Sequence, residues 1–162
     1  MIQRQTPTLR GRALAWLAQR EHTREELRFK LRRWAAQPDG GERERRPIAS
    51  DSEIDALIDE LLAAGHLSDD RFVDSRVHAR QARYGNRRIQ QELRQLGVTP
   101  DAAVTAKLRE TEQQRAADVQ SRKFGLKPTT PQDRARQMRF LVSRGFTTDT
   151  IRRVLQGDPD ES

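Results

Sequence analysis

Gly97-Val98-Thr99-Pro100-Asp101-Ala102 returns about 48 residues later as Gly145-Phe146-Thr147-Thr148-Asp149-Thr150. In both places an amphipathic segment ends at the glycine and an apolar residue follows. A Thr with an Asp two positions on then opens a second amphipathic segment. This is an internal repeat of helix, turn and helix. Units of two or three helices repeated at such a period stack so that each lays its apolar face on the next. The expected fold class is therefore all-α, a tandem array of three three-helix repeats, elongated and curved.

Working outward, strand-type alternation is almost absent and helical spacing recurs, which predicts about nine helices in three sets. Repeat 1 spans 12–66 after a polar tail over 1–11. Ala13, Leu14, Trp16 and Leu17 form a short first helix, and Thr23 with Glu26 reads as a capping box opening a helix with Leu27, Leu31 and Trp34 on one face. Gln37 to Pro47 is polar and rich in breakers, so a flexible insertion is expected over about 37–50. Asp51 or Ser52 caps the next helix, whose Ile54, Leu57, Ile58, Leu61 and Leu62 follow the i, i+3, i+4, i+7, i+8 pattern until Gly65.

Repeat 2 spans 67–110. Asp69 and Asp70 suit a helix start, Phe72, Val73 and Val77 face inward, and Ile89, Leu93 and Leu96 line a helix stopped by Gly97. Thr99-Pro100 would start the next helix with a cap and a first-position proline. Repeat 3 spans 111–156, with Val119, then Met138, Leu141 and Val142, then Ile151, Val154 and Leu155 as its apolar positions; an acidic tail over 157–162 follows.

The chain has 162 residues, 34% hydrophobic and 34% charged, enough for a thinly spread core and a poor match to one compact α/β enzyme. Its apolar stretches are far shorter than the roughly 20 residues that span a bilayer. The start, Met1 to Pro7, lacks an apolar signal core, and there is no cysteine, so a cytoplasmic location is expected. The formal charge of +7 points to an anionic partner, nucleic acid above all. Charge is also sorted: residues 51–70 carry seven acidic side chains and no Lys or Arg, whereas 71–97 carry seven arginines against Asp74 and Glu92.

Gly65-His66-Leu67-Ser68-Asp69-Asp70-Arg71-Phe72, followed by Arg83-Tyr84-Gly85-Asn86-Arg87-Arg88-Ile89-Gln90-Gln91-Glu92-Leu93, resembles the RecX family of recombinase regulators, as does the early Arg20-Glu21-His22-Thr23-Arg24-Glu25-Glu26-Leu27. Order and spacing agree from about residue 12 to residue 156. Tyr84-Gly85-Asn86 stands where the family usually has a basic residue, Gly and Pro. The resemblance implies a protein that is not an enzyme, uses no cofactor and binds the RecA recombinase in its filament on single-stranded DNA. It implies restraint of filament growth, ATP turnover and strand exchange, and hence a part in recombination, repair and the SOS response. A monomer is expected.

Arginine suits such a partner through bidentate contacts to phosphate. The candidate contact residues are Arg24, Arg28, Arg32 and Arg33 in repeat 1, Arg76, Arg80, Arg83, Arg87 and Arg88 in repeat 2, and Arg136 and Arg139 in repeat 3. Arg76, Arg80, Arg83 and Arg87 suggest a continuous basic stripe, against the alternative of solvated helix faces. Asp70, Phe72, Gly85, Ile89, Leu93 and Gly97 belong to the motif but read as structural, the glycines as turn residues. Tyr84, Trp16 and Trp34 read as packing residues. His22, His66 and His78 are isolated, and no Gly-rich phosphate loop exists, which argues against metal ligation and catalysis. Asp55 and Asp59 read as a solvated face or an acidic patch for a protein partner. The rival readings are a helix-turn-helix regulator, whose recognition helix from Asp101 to Ala106 offers few donors to bases, and a general single-strand binder.

Overall fold

A computed structural model describes residues 8–37 and 48–156. The tails over 1–7 and 157–162, and residues 38–47 of the expected insertion, lie outside the described residues. Among the described residues there are eight helices and no strand: α1 (Leu9–Leu17), α2 (Arg24–Ala35), α3 (Asp51–Ala63), α4 (Asp69–Arg80), α5 (Asn86–Gln95), α6 (Ala102–Phe124), α7 (Pro131–Ser143) and α8 (Thr148–Gln156). The architecture is all-α. None of these helices is long and apolar enough to cross a membrane.

The chain divides into two compact units between Phe72 and Val73. In the first, Ala13 of α1, Leu27 and Leu31 of α2, and Ile54, Ile58 and Leu61 of α3 form a buried core, with Trp16 and Trp34 packed against it. Local chemistry sets the helix ends. Thr8 accepts from the Gly11 N–H at 3.1 Å, so α1 starts at Leu9, inside the stretch read as a polar tail. Thr23 caps α2 through the Glu26 N–H at 3.0 Å. The expected capping box there is incomplete because the Glu26 carboxylate turns to Arg20 instead. Burial raises the Glu26 pKa, but the Arg20 hydrogen bond and charge outweigh it and leave the group below its usual range. A full capping box stands at α3, where Ser50 and Glu53 satisfy each other's backbone N–H at 2.7 and 3.2 Å. Ser50, not Asp51 or Ser52, is therefore the cap.

In the second unit Ala116 and Val119 of α6, Leu141 of α7, and Ile151, Val154 and Leu155 of α8 close around Phe146. Ile89 and Leu93 are fully buried, whereas Val142, expected inside, lies on the exposed side of α7. Two helices expected on either side of residue 110 are one: α6 runs unbroken for 23 residues. Nothing between Ala102 and Phe124 is Gly or Pro, so no residue interrupts the hydrogen-bond ladder. Its cap is Asp101, which accepts from the Val104 N–H at 2.8 Å, leaving Thr99 and Pro100 outside the helix.

Glu112 and Arg115, both buried, sit at the middle of α6. Glu112 accepts from the Asn86 N–H at the start of α5 at 2.9 Å and from the Thr147 and Thr150 hydroxyls at the start of α8 at 2.8 and 2.9 Å. One carboxylate thus meets the positive ends of two helices. Arg115 donates to the carbonyls of Tyr84 and Leu108 at 2.8 and 3.0 Å and to the Asn86 side chain. Burial lowers the Arg115 pKa, and the Glu112 charge opposes that.

Gly85 and Gly145 permit the approach that makes this possible. Gly85 N–H donates to Arg144 O at 2.8 Å and Arg87 N–H to Gly145 O at 3.0 Å. A Cβ on Gly85 would lie 2.3 Å from Phe146 N. Gly85 has an ordinary φ of −80° and heads α5, so its smallness serves close backbone contact, whereas Gly97, at φ +75°, is a true turn glycine.

Candidate functional site

The acidic face of α3 and the basic face of α2 meet. Because the two helices run antiparallel, arginines one turn apart on α2 meet aspartates one turn apart on α3 in reverse order. Arg24 pairs with Asp59 at 2.9 Å, Arg28 with Asp55 at 2.5 Å and Arg32 with Asp51 at 2.9 Å. The Asp55 hydrogen bond raises the Arg28 pKa against the cost of burial, and the Asp55 charge adds to the rise. Asp55 and Asp59 are thus engaged within the chain. Such exposed pairs add little stability, but they neutralise three candidate contact residues. Arg33, one turn beyond the exposed Phe29, has no ion-pair partner among the described residues.

The second-repeat arginines form a hub instead of a continuous stripe, because α4 ends at Arg80 and α5 begins only at Asn86. Glu92 draws in Arg80 at 2.9 Å and Arg76 and Arg88 at 3.6 Å. Three guanidiniums around one carboxylate leave an excess of positive charge. The Tyr84 ring takes up part of the arrangement, lying 4.4 Å from Arg88, 5.2 Å from Arg80 and 5.6 Å from Arg144. Arg83 and Arg87 are exposed and without an ion pair among the described residues.

In the third repeat Arg136 reaches Asp133 at 3.5 Å and lies 5.4 Å over Phe124, while Arg139 is exposed. Asp70 is exposed at the start of α4, and Phe72 is buried on the next turn. Three further cations, Arg122, Lys123 and Arg144, were missed by pattern reading. They share no helical period with the candidate set, and the packing of α6 on α7 is what gathers them with Arg83 around Phe140. The adjacency of Arg122 and Lys123 was the available signal.

The family model described as the RecX second three-helix domain matches residues 68–106, and that of the RecX third three-helix domain matches residues 110–155. The two matches meet inside α6. A protein named regulatory protein RecX from Leptothrix cholodnii is 44% identical over 151 residues, covering 92% of this chain and 88% of its own length. One of the same name from Ralstonia nicotianae is 40% identical over 158 residues, covering 96% of this chain and 91% of its own. The crystal structure of RecX from Lactobacillus salivarius superposes with a TM-score of 0.69 at 17% identity, over 91% of this chain and 92% of that one, a likeness of fold.

Proposed function

The chain belongs to the RecX family of regulatory proteins, and on that premise we propose that it is a negative modulator of the RecA recombinase. In this reading it binds RecA, or the RecA filament on single-stranded DNA, and restrains filament growth, ATP hydrolysis and strand exchange. Recombination, DNA repair and the SOS response are then the processes it regulates, and the cytoplasm is where it acts. It performs no chemistry and holds no cofactor. Any nucleotide dependence belongs to the recombinase. It works as a monomer.

The observation that carries this reading is identity of about two residues in five with proteins named regulatory protein RecX along nearly the whole chain. The charge distribution supports it. Within the candidate set, Arg33, Arg83, Arg87 and Arg139 remain without carboxylate partners among the described residues, and the Glu92 hub keeps a surplus of guanidinium. Such groups meet a polyanion at little cost, and binding through them weakens steeply with salt.

The test is single-stranded-DNA-dependent ATP hydrolysis by a RecA recombinase, with this protein added well below one copy per recombinase monomer and excess DNA as control. Inhibition at such ratios that persists in excess DNA is expected. Unchanged hydrolysis, or inhibition only in proportion to DNA covered, overturns the reading and leaves a basic helical DNA binder without a recombinase target.

A further inference from the structure

Seven of the eleven candidate arginines have carboxylate partners. Four cations gathered on α6, at the end of α7 and in the turn before α5 have none among the described residues. Arg83, Arg122, Lys123 and Arg144 line a cleft of about 330 Å³ in the second unit whose remaining walls are Val119 and Phe140. No acidic residue lines it, and none of the four cations has an ion pair among the described residues. Their positions are set by other means. Arg122 donates to Ala82 O at 2.6 Å and to Asp118 O at 3.2 Å, carbonyl acceptors that orient a guanidinium without cancelling its charge. Arg144 lies 5.1 Å and Lys123 5.8 Å from the Phe140 ring. Phe124 braces that ring edge to face at 5.3 Å.

Four like charges around one recess repel one another, and cation–π contacts offset this only weakly. An anion with several oxygens relieves the repulsion, and a guanidinium fork matches phosphate bidentately. The apolar wall adds a second requirement. A bare inorganic anion leaves Val119 and Phe140 unused, and an Asp- or Glu-rich peptide brings carboxylates without a flat apolar group beside them. A nucleotide within a strand brings a phosphate and, one sugar away, a base with a π-face that packs on an aromatic ring or guanidinium plane.

We propose that this cleft holds single-stranded nucleic acid directly, with one phosphate among the four cations and the adjoining base against the Phe140 wall. The inference rests on the filament reading for the source of the strand. The contact itself requires no recombinase.

The full-length protein is titrated into a fluorescent oligothymidylate of about 20 nucleotides, followed by anisotropy across a salt series. Arg83→Gln with Lys123→Gln removes two charges from the cleft without touching the bonds that hold Arg122. Arg94→Gln with Arg109→Gln removes two exposed, unpaired charges elsewhere. The cleft pair is expected to weaken binding about tenfold near 0.1 M salt and to flatten the salt slope by roughly 0.7, the value for one lost phosphate contact. The control pair is expected to stay within about twofold. Lys123→Gln alone, with helicity checked by circular dichroism, keeps the test open if the double variant does not fold, and a loss of about threefold is expected from it.

Equal losses from both pairs, or none from either, overturn the proposal. So does displacement of the oligonucleotide by inorganic phosphate at equal phosphate concentration, which makes the cleft a free-phosphate site. Displacement by an aspartate-rich peptide of equal charge, with the same loss in the cleft variant, makes it a protein contact and also overturns the proposal. The filament reading fails separately, when wild-type protein leaves recombinase ATP hydrolysis unchanged whatever its affinity for the oligonucleotide.

Discussion

His22 shows how much one side chain is decided by what surrounds it. It is 1% exposed, with Nδ1 at 2.9 Å from Arg20 O and Nε2 at 3.0 Å from Lys30 Nζ. A carbonyl only accepts and an ammonium only donates, so the ring is neutral with its proton on Nδ1. Burial lowers its pKa below 6.5, and the charges of Arg20 and Lys30 add to that, while the Arg20 carbonyl and Glu26 work against it. The folded state thus binds this proton less readily than the unfolded chain does. The stabilisation is full above about pH 6.5 and is lost as pH falls toward the depressed value. Thermal unfolding at pH 7.5 and 5 should show His22→Gln removing part of the acid-side loss. An unchanged slope excludes His22 as a source. At the same scale, Gly145→Ala meets both a φ of +85° and a Cβ only 2.4 Å from that of Arg88, whereas a Cβ on Gly97 has open space. Chemical denaturation should give a loss of about 3 kcal/mol or more for the former and about 1 kcal/mol for the latter.

Among the helices, α6 has the most at stake. Its length lets a single rigid element bury Leu108 near one end and Val119 near the other and place Glu112 and Arg115 between the starts of α5 and α8. The exposed Gln113 tests that continuity. A proline there removes one ladder hydrogen bond and clashes with the preceding turn, so Gln113→Pro should cost about 3 kcal/mol or more in urea unfolding while Gln113→Ala is neutral or better. A proline tolerated at that position would mean two separate helices. Glu112→Gln keeps the shape but removes the charge facing two helix starts and the buried Arg115. It should cost about 2 kcal/mol, read by the same measurement.

For the molecule, the net charge of +7 overstates some faces and understates others. The α2–α3 ladder ties up three arginines, whereas the cleft beside Phe140 keeps all four of its cations. Replacing Asp51, Asp55 and Asp59 together by Asn should free the α2 guanidiniums and raise affinity for single-stranded DNA about tenfold near 0.1 M salt. Anisotropy against the wild type checks this, and an affinity that does not move would mean that the α2 face takes no part in binding even when unmasked.

Sequence alone determined what is local. The Gly-x-Thr-x-Asp phrase marked the turns before α6 and α8, the spacing of Ile54, Leu57, Ile58 and Leu61 marked α3, and Phe72, Ile89 and Leu93 were legible as buried, because periodicity and φ preference act over a few residues. The family was legible as well, in motifs that are themselves contiguous. The structure decided which charges cancel. Arg28 and Asp55 lie 27 positions apart and Asn86 and Glu112 lie 26 apart, and no short-range pattern states such partners. The same holds for Gly85, which looks like a turn glycine until Gly145 is packed on it. A side chain's charge is written in the sequence, but whether that charge is spent inside the fold or left for a partner depends on which helix lies opposite, and only packing sets that.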